Sequence, residues 1–458
     1  MYKGEALGDQ MREVLKKYHA DYIEVRLEES EATHIQYRGR ELENLSKSQS
    51  LGGNVRAQVR GGWGFVSFNN VNGMGDKIEL AIRQANLVGK EISRLAPAEP
   101  VVDIVRVMTK KNAATVPVAE KKLLLDEYNE IIWSTPQIQT SSITYRDSSK
   151  KVIFANSEGS YIEQDKSDLA LRITAIAKEG EEVQQAGLSV GSNGNFAQIE
   201  GLHQQVKETA RLAVEMLSAP EVEGGEYTVV LDPVLAGVFA HEAFGHLSES
   251  DFVYENEQLR EIMVLGRRFG GKHLNIVDGA AIPDLRGSYK YDDEGIPATK
   301  TYLIQEGVLV GRLHSRETAA KMKETPTSNA RAIGYRYPPI VRMTNTLIEP
   351  GSVSFEEMMG EIKTGIYAKN WYGGTTSMEM FTFSAGEAYM IRHGRIAELL
   401  RPVVLTGNVF ATLENIDAIG NDLGINQGGG CGKGGQSPLP VSNGSPHIRI
   451  RRCVVGGR

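Results

Sequence analysis

The sequence predicts an α+β protein. A helix-and-antiparallel-sheet region, residues 1–222, precedes a β-rich domain, residues 223–458, that carries one prominent helix near its start. Three observations predict this. Most of the chain alternates apolar and polar residues in short runs separated by glycine-bearing turns, and 49 glycines in 458 residues suit such turns. A few segments instead repeat their apolar residues at helical spacing. Finally, Ala219-Pro-Glu-Val-Glu-Gly-Gly-Glu226 is acidic and turn-rich, and past residue 275 helical signals become scarce.

Taken in order, Leu7, Met11, Val14 and Leu15 predict a first helix. Tyr22–Leu27, Thr33–Tyr37, Glu41–Ser46 and Val55–Arg60 alternate as strands. Gly61-Gly62 turns the last of these into Gly64–Phe68. Asp76 opens a helix with Ile78, Ala81, Ile82, Ala85 and Val88 on one face. Residues 91–117 hold three prolines around a strand-like run, Val101–Val107, and mark a possible division into two subdomains. A helix follows Pro117. Strands are expected at Ser142–Arg146, Val152–Asn156, Ser160–Asp165 and Leu169–Ala177, and a helix from about Gly201 to Leu217 closes the region. Beyond the boundary, Glu306-Gly307 and His393-Gly394 read as hairpin turns between strands.

Composition narrows the function. Net charge is −7 and no long basic run occurs, which argues against nucleic acid as a partner. No apolar stretch of about 18 residues is present to span a membrane. Two cysteines in so long a chain make no disulfide framework, so a cytoplasmic location with free thiols is expected.

The stretch with the clearest chemistry is His241-Glu-Ala-Phe-Gly-His246. Tyr227–Leu231 reads as a strand, Asp232 as a helix cap and Pro233 as a first-turn proline, so the motif ends a helix. Two histidines offer imidazoles to a metal, and Glu242 offers a base beside them. In the familiar H-E-x-x-H pattern the histidines share a helix face. Here they are five apart, and an ideal helix would separate them by roughly 140°. A distorted last turn is therefore expected, permitted by the poor helix former Gly245.

A catalytic zinc takes a third protein ligand and leaves one place open. The candidates are Cys431, Cys453, His273, His314, His393, His447 and the carboxylates. Cys431 stands in Gln427-Gly-Gly-Gly-Cys-Gly-Lys-Gly-Gly-Gln436, which reads as a glycine-rich loop where Lys433 would help ionise the thiol. A phosphate cradle fails the pattern, because Gly434 stands where Ser or Thr should follow the lysine. A metal ligand and an idle thiol both remain open readings. Cys453, in an alternating strand, reads as packed.

These residues carry a resemblance. The chain resembles TldD-type proteins of the TldD/PmbA metalloprotease family along essentially its whole length. The markers are His241–His246 with Glu249 and Asp251, Asp292-Asp-Glu-Gly-Ile-Pro297, Arg342-Met-Thr-Asn-Thr346, Ser384-Ala-Gly-Glu-Ala-Tyr389 and Cys431-Gly-Lys-Gly-Gly-Gln436. Leu247, Ser248 and Ser250 depart from its pattern. The resemblance implies a zinc ion held by His241, His246 and Cys431, with Glu242 as base. It implies cleavage of unfolded peptides inside a dimer, often a heterodimer with a PmbA/TldE-type subunit that lacks the zinc motif. Glu249 and Asp251 are candidates to orient an imidazole from behind. Tyr289, Tyr291, Tyr335 and Tyr337 are candidate oxyanion donors, with core packing the simpler role. No residue is singled out for substrate binding. Two other functions fit the same site: an amidase acting on small molecules, and a non-enzymatic modulator or binding subunit whose zinc is structural.

Overall fold

The computed structural model describes residues 11–90, 94–377 and 379–457; Leu7 of the expected first helix lies outside them, and residues 11–15 are helical. Among the described residues, one seven-stranded sheet runs through the whole N-terminal region, in the order β3-β2-β1-β5-β6-β4 with β7 also paired to β6. Its strands are β1 (Tyr22–Arg38), β2 (Glu41–Val59), β3 (Gly62–Phe68), β4 (Val102–Val105), β5 (Ile138–Asn156), β6 (Tyr161–Glu179) and β7 (Glu182–Ser192). Several are twice the length their alternation suggested. Along β1, residues 22–28 are buried on both faces and then one face opens, so the pattern breaks mid-strand although the strand continues. β7 was not foreseen. Its Gly191 lies where a Cβ would meet the Gln427 carbonyl at 2.0 Å, so a glycine there lets another backbone cross.

Helices Met74–Val88, Val118–Trp133 and His203–Glu215 cover this sheet at the places their spacing indicated, the first beginning two residues before Asp76. The turns at Arg60-Gly61, Glu306-Gly307 and His393-Gly394 have positive φ at both residues. This is the type I′ geometry that two-residue hairpins favour.

The chain from residue 225 on is β-rich, as expected. Strand β8 (Gly225–Leu231) lies in a second seven-stranded sheet. Its path runs from Thr364–Ser377 through β8, Ile448–Gly457, Val403–Asn408 and Met380–Arg392, which pairs back onto Thr364–Ser377 and closes the ring. A six-stranded sheet stands beside it. The helix Pro233–Ala240 is buried with both. Phe239 meets Phe381 and Phe383 edge-on at 5.5 and 6.2 Å, and Gly237 sits with no room for a Cβ against Gly444.

The two regions meet through buried charge. On β1, Ile23, Val25 and Leu27 face an apolar core, while Glu24, Arg26 and Glu28 face the other way and are also buried. Arg56 bridges Glu24 at 2.8 Å and Glu294 at 2.7 Å. Arg26 bridges Glu28 and Asp293, both at 2.9 Å. Asp292 accepts from the backbone N–H of Glu294, Ile296 and Ala330. The Asp292–Pro297 motif thus acts as a strut between regions. Removing one partner of such a pair strands the other charges. Arg56→Met is expected to cost about 3–5 kcal/mol in urea unfolding; a cost of about 1 kcal/mol or less, as for an exposed pair, would refute the strut.

Candidate metal centre

Strand β8 delivers the chain into the site. The Asp232 side chain accepts from Leu235 N–H at 2.8 Å, and Pro233 occupies the first turn, so the helix starts where its cap predicts. It ends in a changed gait. Residues His241–Gly245 form a π-turn, in which His246 N–H donates to the His241 carbonyl, followed by a 3₁₀ turn over His246–Ser248. An i→i−5 bond winds the backbone wide enough to return the fifth residue to the side of the first. The imidazole centroids are consequently 5.3 Å apart, at 80°. The distorted turn was expected, but Gly245 serves it differently. Its φ is −57°, ordinary helical backbone, and a Cβ there would meet Met343 Sδ at 2.1 Å. The glycine makes room for Met343, from the Arg342–Thr346 motif, to pack beneath the turn. Gly245→Ala is expected to lose about 1–3 kcal/mol by overpacking, with Gly245→Ala/Met343→Ala recovering part of it in thermal melts.

Cys431 reaches the histidines from far along the chain. The expected loop is in fact a hairpin, Gly430–Lys433 against Gln436–Pro440, turned by Gly434 and Gly435 at positive φ. Arg286 holds its approach by donating to the Gln427 carbonyl at 3.0 Å while pairing with Asp168 of β6. Cys431 Sγ lies 3.4 Å from His246 Nε2. Among the described residues, His241, His246 and Cys431 are the one trio of potential ligands whose donor atoms all lie within 4.8 Å of one another. Glu242 stands on the half-open side, its carboxylate 3.9 Å from His246 Nε2.

The electrostatics are those of a donor set. Burial opposes ionisation of Cys431, but His241 and His246 outweigh it and draw the thiol down to about 4. Burial alone would lower both imidazoles; the adjacent sulfur, helped by Glu242 at His241 and by Glu249 at His246, raises them instead. Cys453, buried without such neighbours, is pushed up to about 12. His241 Nδ1 is buried with no hydrogen-bond partner. Two imidazoles and a thiolate are a donor set that fits zinc.

Behind His246, Glu249 accepts from Nδ1–H at 3.1 Å and is fully buried. Burial opposes its charge, but Lys433 and His246 together outweigh burial and lower its pKa. Asp251 does not reach an imidazole; it pairs with Lys433 at 2.7 Å. Lys433 therefore serves these carboxylates, correcting the expectation that it ionises the thiol. The other candidates are engaged elsewhere. His273 pairs with the Ile416 carbonyl, His314 with Glu324 and His447 with Asp422. The hydroxyls of Tyr289, Tyr291 and Tyr335 bond to Ser328, Asp103 and Asn69. His393 occupies a hairpin turn, and Tyr337 is exposed. Sequence reasoning missed Met343 and Arg286, whose roles arise from contacts distant in the chain and leave no local pattern.

Comparison with known proteins agrees along the chain. Family models described as PmbA/TldA metallopeptidase domain 1, central domain and C-terminal domain match residues 23–85, 111–217 and 224–457. A metalloprotease of Synechocystis is 50% identical over 449 residues, covering 97% of each chain. A zinc metalloprotease TldD homolog of Saccharolobus solfataricus is 35% identical over 325 residues, 70% of this chain and 72% of that one. The fold matches that of TldE from Thermococcus kodakarensis at a TM-score of 0.78, with 16% identity, covering 98% of this chain and 99% of that one. Three family models that match from residue 23 to residue 457, with a metalloprotease 50% identical over 97% of the chain, show that this chain belongs to the PmbA/TldA metallopeptidase family.

Proposed function

We propose that this chain is a zinc-dependent peptidase that hydrolyses unfolded or extended peptides. In this reading His241, His246 and Cys431 hold the ion, Glu242 is the base, and residues 223–458 form the metalloprotease domain behind an N-terminal region, residues 1–222. The observation that carries it is the convergence of three donors beside a half-exposed carboxylate. When bound, zinc supplies a Lewis acid that activates water near neutral pH and polarises a carbonyl.

The chain's own groups do the rest. Glu249 accepts a hydrogen bond from Nδ1–H of His246, which leaves Nε2 as the lone-pair nitrogen turned toward Cys431. Cys431 contributes a charged sulfur, which tempers the Lewis acid and predicts a slow enzyme. Glu242 takes a proton from the attacking water on its carboxylate and returns it to the leaving amine. An extended peptide added along a sheet edge would be read by backbone, which suits broad preference. Kinship with a zinc metalloprotease TldD homolog supports the metal. We take the chain to act as a dimer, including a heterodimer with a PmbA/TldE-type subunit, a type whose TldE member shares its fold. No helix among the described residues is long and apolar enough to cross a membrane. With both cysteines free, we take the location to be cytoplasmic.

The test is metal removal. Cleavage of an unstructured peptide, with small amides as comparison, is expected to vanish on chelation and return with one zinc per chain, while small amides remain poor substrates. Peptide cleavage by the metal-free chain, or a preference for small amides, would overturn the reading.

A further inference from the structure

The hairpin that carries Cys431 has little side-chain substance of its own; six of the ten residues from 427 to 436 are glycine. Something must hold its first strand against the segment that carries His246. Two side chains from that strand reach it. Cys431 Sγ meets His246 Nε2 at 3.4 Å. Lys433 Nζ, its side chain only 8% exposed, meets Glu249 at 3.0 Å and Asp251 at 2.7 Å. It also donates to the Val341 carbonyl at 2.8 Å, and it lies 4.2 Å from the Phe252 ring centroid.

We infer that Lys433 is a positioning residue for the metal centre: it pins the cysteine-bearing hairpin to the His246–Asp251 segment and so sets where the third donor stands. This inference rests on the ligand reading proposed above.

An ammonium has three N–H donors, and here three acceptor groups take them, with an aromatic face on a further side. Such complete satisfaction is what a buried cation requires. Glu249 Oε2 serves both Lys433 Nζ and His246 Nδ1, while its Oε1 is buried without a partner. One carboxylate oxygen therefore references the imidazole and the hairpin to each other. Other ties fall outside the cysteine strand itself: Arg342 and Arg331 hold the return strand at the Gln436 and Pro440 carbonyls, Gln436 bonds to the Pro338 carbonyl and the Ile333 N–H, and Arg286 holds the approach at the Gln427 and Gly429 carbonyls.

The experiment measures zinc affinity and the rate of zinc release to a chromophoric chelator for the full chain, using Lys433→Met, Asp251→Asn and the double variant. Lys433→Met is expected to weaken zinc about 10–100-fold and to speed release similarly, the range seen when outer partners of ligands are removed. Asp251→Asn should give a smaller loss. The double variant should be no worse than Lys433→Met alone, because both act through one bridge. Wild-type release from Lys433→Met, or fully additive losses in the double variant, overturns the pin. If Lys433→Met fails to fold, Asp251→Asn decides alone, and unchanged zinc release from it overturns the pin. Cys431→Ser separates the two readings. If it holds zinc as wild type does, the ligand assignment falls; if it loses zinc while Lys433→Met does not, only the pin falls.

Discussion

Glu242→Gln is expected to keep its zinc and lose peptide turnover by about 10²–10⁴-fold, the usual range for removing a positioned general base. The amide is nearly isosteric and cannot take a proton. Glu242 is partly exposed, and its carboxylate comes no nearer to His246 Nε2 than 3.9 Å. The fold should therefore tolerate the change, and the loss should appear in kcat with zinc content and thermal melting unchanged. Turnover within a few-fold of wild type would remove Glu242 from the base role. A fall in zinc content would instead make it a ligand.

The second large effect is expected at the sulfur. Cys431→Ser should weaken zinc by more than the 10–100-fold typical of an outer partner, since it exchanges a thiolate for a neutral hydroxyl. The site is arranged for an anion: the thiol is drawn down to about 4 by the two imidazoles, which are themselves raised by it. A group whose pKa is depressed on folding stabilises the folded chain above its unfolded value and loses that contribution as pH falls through the folded one. Zinc should accordingly be released on acidification, when protons compete for the sulfur and the imidazoles together. Cys453→Ser provides the contrast, because that thiol is pushed up to about 12 by burial and has no imidazole beside it. Equal zinc retention by both serine variants, measured by metal analysis after dialysis, would exclude Cys431 as the third ligand.

Much of the architecture was legible because local chemistry wrote it. Asp232 and Pro233 marked the start of the metal-site helix, and Glu306-Gly307 and His393-Gly394 marked turns, since caps and type I′ turns depend on residues adjacent in the chain. Strand lengths were less legible. β1 alternates between an apolar core and a buried charged interface, so its polar residues did not mean solvent. The glycine-rich stretch read as a loop because glycine speaks for permissive backbone, not for the partner strand Gln436–Pro440 that makes it a hairpin.

By itself, the sequence determined the fold class, the helix that ends in His241 and His246, the need for an irregular turn between them, and a short roster of third ligands. Only the tertiary structure decided that Cys431 stands at His246, that Gly245 yields its space to Met343, and that Lys433 belongs to Glu249 and Asp251. The reason is distance along the chain. A cap or turn is settled by neighbours within about one helical turn, whereas this centre joins residues 185 positions apart, and such a meeting is fixed by the packing of sheets that no local pattern records.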